Sequence, residues 1–88
     1  MTFSFIVPFH RGLPSLARCL DALAPLPPDS ELIIAADGAV DDCRPLASLH
    51  QARIVAVTGP SGPAVARNAA AASAIGDVLV FIDADVAV

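Results

Sequence analysis

Eighty-eight residues allow one small domain, and an apolar content of 56% excludes a disordered chain. The net charge is −4, and all five cations are arginines, Arg11, Arg18, Arg44, Arg53 and Arg67, spread along the chain without a basic cluster. That excludes a nucleic-acid binder working by phosphate neutralisation and suits only a nucleotide-sized anion. Cys19 and Cys43 are too few and too far apart for a disulfide framework or a zinc site, and read as free thiols of a reducing compartment. The opening "MTFSFIVPFHRG" lacks the basic start and apolar length of a signal peptide. The apolar tail from Ile75 is broken by Asp77, Asp83 and Asp85 and is too short to span a bilayer. A soluble, cytoplasmic chain without a membrane segment is expected.

In chain order, "FSFIV" at 3–7 is the first strand-length apolar run, followed by Pro8-Phe9-His10-Arg11. Leu13, Leu16, Leu20 and Leu23 then fall on one stripe and predict a helix over 13–23, with Pro14 acceptable in its first turn. The prolines of "APLPPDS" stop that helix. "ELIIAA" at 31–36 is the second strand, followed by the loop 37–42. A short, weak helix is predicted over 44–50, with Asp41 and Asp42 as acids favouring its N-terminal dipole and His50 as a polar surface residue near its end. "RIVAV" at 53–57 is the third strand. An alanine-rich helix over 63–74 follows, with Pro63 at its first position, Gly62 before it and Gly76 as its stop. "DVLVFI" at 77–82 is the fourth strand. The runs are nearly continuous rather than alternating, as in strands covered on both faces. The βαβαβαβ order therefore predicts an α/β layer structure, a parallel four-stranded sheet with three helices and right-handed crossovers.

Ligands of open α/β sheets bind beyond the carboxyl ends of the strands, so the loops after the strands are where chemistry is expected. Asp83 and Asp85 sit at i, i+2 after the fourth strand, and two such carboxylates project to the same side of an extended backbone. A lone D-x-D is also served by a solvated turn; its placement directly after an apolar strand points to a hard divalent cation, Mg²⁺ or Mn²⁺, arriving with substrate phosphates. Asp37 follows the second strand, and Gly38 permits the tight turn behind it. This acid suits hydrogen bonds from a nucleoside and equally suits a simple turn. Arg11, beyond the first strand, is the better phosphate partner of the His10–Arg11 pair, since its guanidinium stays charged. Arg67 and Asn68 lie one turn into the third helix, where bonding within the fold is at least as good an account as a ligand contact. "TGPSGPAVARN" at 58–68 lacks the P-loop pattern and its lysine, and no G-x-G-x-x-G follows the first strand, which sets aside a P-loop NTPase and weighs against a Rossmann dinucleotide site.

Taken together, these loops resemble the N-terminal half of family 2 glycosyltransferases of the Rossmann-like GT-A fold. The opening strand of that family ends in Pro-Thr-Tyr-Asn, which corresponds to Pro8-Phe9-His10-Arg11. Its Asp-Asp-Gly-Ser-x-Asp corresponds to Ala36-Asp37-Gly38-Ala39-Val40-Asp41. Its Gly…Ala-Arg-Asn…Gly stretch matches Gly62…Ala66-Arg67-Asn68…Gly76, and its Asp-x-Asp matches Asp83-Ala84-Asp85. The resemblance implies a nucleotide-diphosphate sugar donor, with Pro8, Phe9 and Asp37 at base and ribose, and Asp83 and Asp85 at ribose and metal. Arg11 and Gly38 complete the expected donor site. It also implies transfer of the sugar to an acceptor hydroxyl with inversion, from a fold that continues into an acceptor-binding half carrying an Asp or Glu base. Residues 1–88 are thus expected to hold the donor site without the acceptor site, to be inactive alone, and to leave a sheet edge open for self-association.

Two other readings stand beside this one. A nucleotidyltransferase also uses a βαβ nucleotide-binding half and metal-binding aspartates, but carries a Gly-rich basic loop after its first strand, where this chain has only Arg11 and Gly12. A non-catalytic α/β module pairing with another chain would need neither metal nor nucleotide.

Overall fold

The computed structural model describes residues 1–10, 12–38, 40–58 and 63–82. Along the chain, β1 (Phe3–Phe9), α1 (Leu13–Leu23), β2 (Ser30–Asp37), α2 (Val40–His50), β3 (Arg53–Val57), α3 (Pro63–Ser73) and β4 (Val78–Phe81) alternate as the sequence predicts. The four strands form one parallel sheet in the order β3-β2-β1-β4. Parallel neighbours need crossovers, and right-handed crossovers dictate the layering. Steps from β1 to β2 to β3 put α1 and α2 on one face; the return past β1 to β4 puts α3 on the other.

The two cores follow from the strand period of two. Val7, Phe9, Leu32, Ile34 and Ala36 face Leu16 and Leu20 of α1 and Cys43 and Ala47 of α2. Ile6, Ile33 and Ala35 face Ala66 and Ala70 of α3. The small alanines let α3 lie close to the sheet, whereas leucines fill the wider space under α1. β2 is buried from Leu32 through Asp37, which is why its sequence reads as an unbroken apolar run.

β1 continues two residues beyond the expected 3–7 and takes in Pro8 and Phe9. Proline is tolerated here because of which side its missing N–H faces. The Ile82 N–H donates to the Ile6 carbonyl (2.9 Å), so Ile6 and, two residues on, Pro8 turn their main-chain groups toward β4. Among the described residues β4 pairs with Phe3 to Ile6, two residues short of the proline. The pairing with β2 continues to Phe9 opposite Ala36.

α2 begins at Val40 rather than 44 and carries Pro45 inside it, with Asp41 and Asp42 in its first turn. Pro45 stands at the middle of the helix and, having no N–H, removes one intrahelical bond. The helix closes with Gln51 in the left-handed region (φ 57°), the Gln51 N–H on the Ser48 carbonyl (3.3 Å) and the Ala52 N–H on the Ala47 carbonyl (2.8 Å). That is a Schellman closure built on a residue other than glycine. His50, the last residue of α2, is turned inward, which corrects the expected surface placement: its side chain is 12% exposed, with Nε2 3.3 Å from Asp21 Oδ1 of α1. The approach is not aligned as a hydrogen bond, and Nε2 is otherwise unpartnered.

At the amino ends of the strands, Glu31 joins three elements. Its carboxylate accepts from Ser4 Oγ (2.6 Å), the Ile75 N–H (2.7 Å) and Arg53 Nη2 (2.9 Å), and Ser4 Oγ in turn accepts from the Gly76 N–H (2.8 Å). Burial pulls the Glu31 carboxyl upward, but these hydrogen bonds and the Arg53 charge outweigh it and hold the group below its ordinary value of 4.5. The network fixes the passage from α3 into β4. No helix of the described residues is long and apolar enough to cross a membrane.

Candidate functional site

Because every strand is parallel, Phe9, Asp37, Val57 and Phe81 all end at one edge of the sheet. The chain reverses its direction of travel between β1 and its neighbour β4, with helices on opposite faces at either side. In open α/β sheets, ligands bind outside the carboxyl ends of the strands near such a switch point.

Asp37 is the acid that the fold places most firmly at this edge. It is the last residue of β2, pairs with Val57 of β3, and is 5% exposed. Among the described residues, the buried polar or charged side chains are Asp37 and Ser4, and Ser4 belongs to the network at the opposite edge. Gly38 follows with φ 93°, a conformation that favours glycine, and its N–H donates to the Val57 carbonyl (3.1 Å). The expected turn behind Asp37 is therefore present, and Asp37 itself lies in the strand rather than after it.

On the β1 side of Asp37 stands His10. The register that pairs Phe9 with Ala36 carries His10 alongside Asp37. His10 Nδ1 lies 3.2 Å from the Asp37 main-chain carbonyl oxygen and 3.8 Å from Asp37 Oδ2. A carbonyl oxygen only accepts, so Nδ1 carries the proton and donates. The other ring nitrogen, Nε2, lies on a side chain that is 56% exposed. Sequence reasoning favoured Arg11 over His10 at this loop; the signal for His10 was the parallel register, which no local pattern contains.

The other expected site residues are distributed as follows. Pro8 lies half-buried in β1. The Phe9 ring points into the core with α1 and α2 and is 5% exposed, so only its main chain reaches the strand-end edge. Arg11, Ala39, Gly62, Asp83 and Asp85 lie outside the described residues. Ile82, bonded to Ile6, is the last described residue before Asp83 in the sequence, and it leaves the sheet at this same edge. Arg67 and Asn68 are exposed on α3. Among the described residues, no group of three or more His, Cys, Asp or Glu side chains is gathered for a metal. The donor set expected for one, Asp83 with Asp85, offers the carboxylate oxygens that hard divalent cations take. Cys43 is buried, donates to the Val40 carbonyl (3.3 Å), and has its thiol pushed up chiefly by burial, which makes it a packing residue.

The family model of glycosyl transferase family 2 matches residues 4–88. The chain belongs to that family. Its fold is correspondingly close to the GT-A enzyme glucosyl-3-phosphoglycerate synthase from Mycobacterium tuberculosis, solved in complex with Mn²⁺, UDP and glucosyl-3-phosphoglycerate. The TM-score is 0.79 at 29% identity, over 96% of this chain and 33% of that one. A structure of the same synthase with Mn²⁺, UDP-glucose and phosphoglyceric acid gives a TM-score of 0.78 at 29% identity, with the same coverage. A further mycobacterial protein gives 0.81 at 27% identity, over 99% of this chain and 32% of that one. The chain thus spans about a third of the length of these solved relatives. No curated protein sequence matches it.

Proposed function

We propose that residues 1–88 form the donor-binding portion of a metal-dependent glycosyltransferase, taking a nucleotide-diphosphate sugar at the carboxyl edge of the sheet. The observation that carries this reading is the buried Asp37, held at the carboxyl edge of the sheet of a family 2 chain between His10 and the Gly38 turn. A buried acid with its main chain fixed on both sides is suited to accept hydrogen bonds from a nucleoside, and the Gly38 turn keeps the approach free of a side chain. The main chain at Pro8 and Phe9 lines the same edge from β1. Arg11 supplies a guanidinium suited to the diphosphate. Asp83 and Asp85 would hold the divalent cation and the ribose. That cation, when bound, stabilises the charge gathering on the departing nucleoside diphosphate. Transfer would go to an acceptor hydroxyl with inversion at the anomeric carbon, using groups supplied by polypeptide corresponding to the rest of the relatives' length.

UDP, the nucleotide in the mycobacterial synthase complexes, is the probe of choice. Calorimetric titration of the chain with UDP is expected to give saturable heat with Mn²⁺ and much weaker heat without it. Asp85→Asn is expected to remove the metal dependence. Equal heats with and without Mn²⁺, unchanged by Asp85→Asn, count against the proposal.

A further inference from the structure

The donor-site reading leaves one feature of the edge without a role, and this inference rests on that reading. Asp37 is clamped through its main chain from both neighbouring strands. On the β3 side, the next residue's N–H bonds the Val57 carbonyl; on the β1 side, the His10 ring bonds the carbonyl of Asp37 itself. The His10 contact is made by a half-exposed side chain, whereas the carboxylate beside it is 6% exposed. An exposed ring contributes little to the core, and among the described residues its hydrogen bond goes to the residue that carries the site. With Nδ1 at 3.2 Å from the carbonyl and 3.8 Å from Oδ2, one ring nitrogen spans the main chain and the carboxylate of the same residue. The main-chain bond holds the end of β2 from the β1 side.

We propose that His10 is a positioning residue for the donor site: Nδ1–H holds Asp37 in the orientation that receives the nucleotide, and His10 sets affinity through Asp37 rather than by touching the ligand. The claim separates the two ring nitrogens. Asparagine carries an N–H₂ donor at the position of Nδ1 and has nothing in place of Nε2, so His10→Asn keeps the proposed contact and deletes any direct one.

The test is calorimetric titration with UDP and Mn²⁺ of the wild type, His10→Ala, His10→Asn, Asp37→Ala and the double variant His10→Ala/Asp37→Ala, with a thermal melt of each. His10→Ala is expected to weaken UDP binding about 5- to 10-fold, the scale of one lost neutral hydrogen bond. His10→Asn is expected to return affinity to within about 2-fold of wild type. The double variant is expected to bind no more weakly than Asp37→Ala alone, because coupled residues are not additive. Melting midpoints of the two His10 variants are expected to stay near that of the wild type, which a merely structural role would not allow alongside the affinity loss. Wild-type binding with His10→Ala unaffected overturns the inference. Equal losses in His10→Ala and His10→Asn also overturn it, and assign a direct contact to Nε2. Absence of UDP binding by the wild type overturns the donor-site reading itself and this inference with it.

Discussion

Replacing Glu31 with alanine tests how the sheet is closed at the edge opposite the site. The side chain is 17% exposed and is the common acceptor for Ser4 Oγ, the Ile75 N–H and Arg53. The Ser4 and Ile75 bonds end on a carboxylate and are worth about 1.5 kcal/mol each or somewhat more. The Arg53 pair is nearly half exposed on the arginine side and adds at most about 1 kcal/mol. Glu31→Ala is therefore expected to cost about 3 kcal/mol, against a total of roughly 4–13 kcal/mol for a chain of this length. That corresponds to a fall of about 15 °C in melting midpoint. The pH dependence gives a second readout. A carboxyl held below its ordinary 4.5 in the folded state stabilises fully above that value, and the contribution disappears as pH falls through the lower folded pKa. Urea unfolding followed by circular dichroism should accordingly show a wild-type advantage over Glu31→Gln that is constant near neutrality and shrinks below about pH 4.5. A cost under about 1 kcal/mol for Glu31→Ala, or an advantage over Glu31→Gln that does not change with acid, would refute the reasoning.

Two further substitutions probe the same scaffold. A methyl on Gly76 would sit 2.5 Å from Ser4 Oγ, 2.7 Å from Ser4 N and 2.8 Å from Phe3 C, and two of those are main-chain atoms that cannot swing away. Gly76→Ala is expected to destabilise by about 2–3 kcal/mol in the same urea assay, and a neutral result would contradict the packing described. Gln51, by contrast, holds a left-handed conformation at the α2 closure without being glycine. Gln51→Gly is expected to stabilise by about 0.5–1 kcal/mol, seen as a melting midpoint several degrees higher.

Local patterns exposed most of the fold because most of it is made by local rules. The leucine stripe over 13–23 is α1 to the residue, and the unbroken "ELIIAA" is β2 with both faces covered. The departures arise where tertiary context overrides a local signal. Pro8 reads as the end of a strand, yet β1 runs through it, paired with β2 as far as Phe9. The second helix reads as starting at 44, yet α2 begins at Val40 and runs through Pro45. His50 reads as polar surface, yet the packing of α2 beside α1 sets it against Asp21. Of the site, Asp37 and its glycine were legible from position and resemblance. The clasp from His10 was not, because it links residues 27 apart through strand register. Glu31 is hidden for the same reason, with partners 27 and 44 residues away. The ring of Phe9 shows the converse: a motif position whose side chain serves the core and whose main chain alone faces the edge.

The central claim is one of place, that nucleotide binds at the carboxyl edge of the sheet. Amide chemical-shift mapping of the chain on addition of UDP with Mg²⁺ tests it most directly. Shifts are expected at His10, Asp37, Gly38 and Thr58, with Glu31, His50 and Gly76 at the far edge unmoved. Shifts confined to the far edge, or none at saturating UDP, would contradict the account.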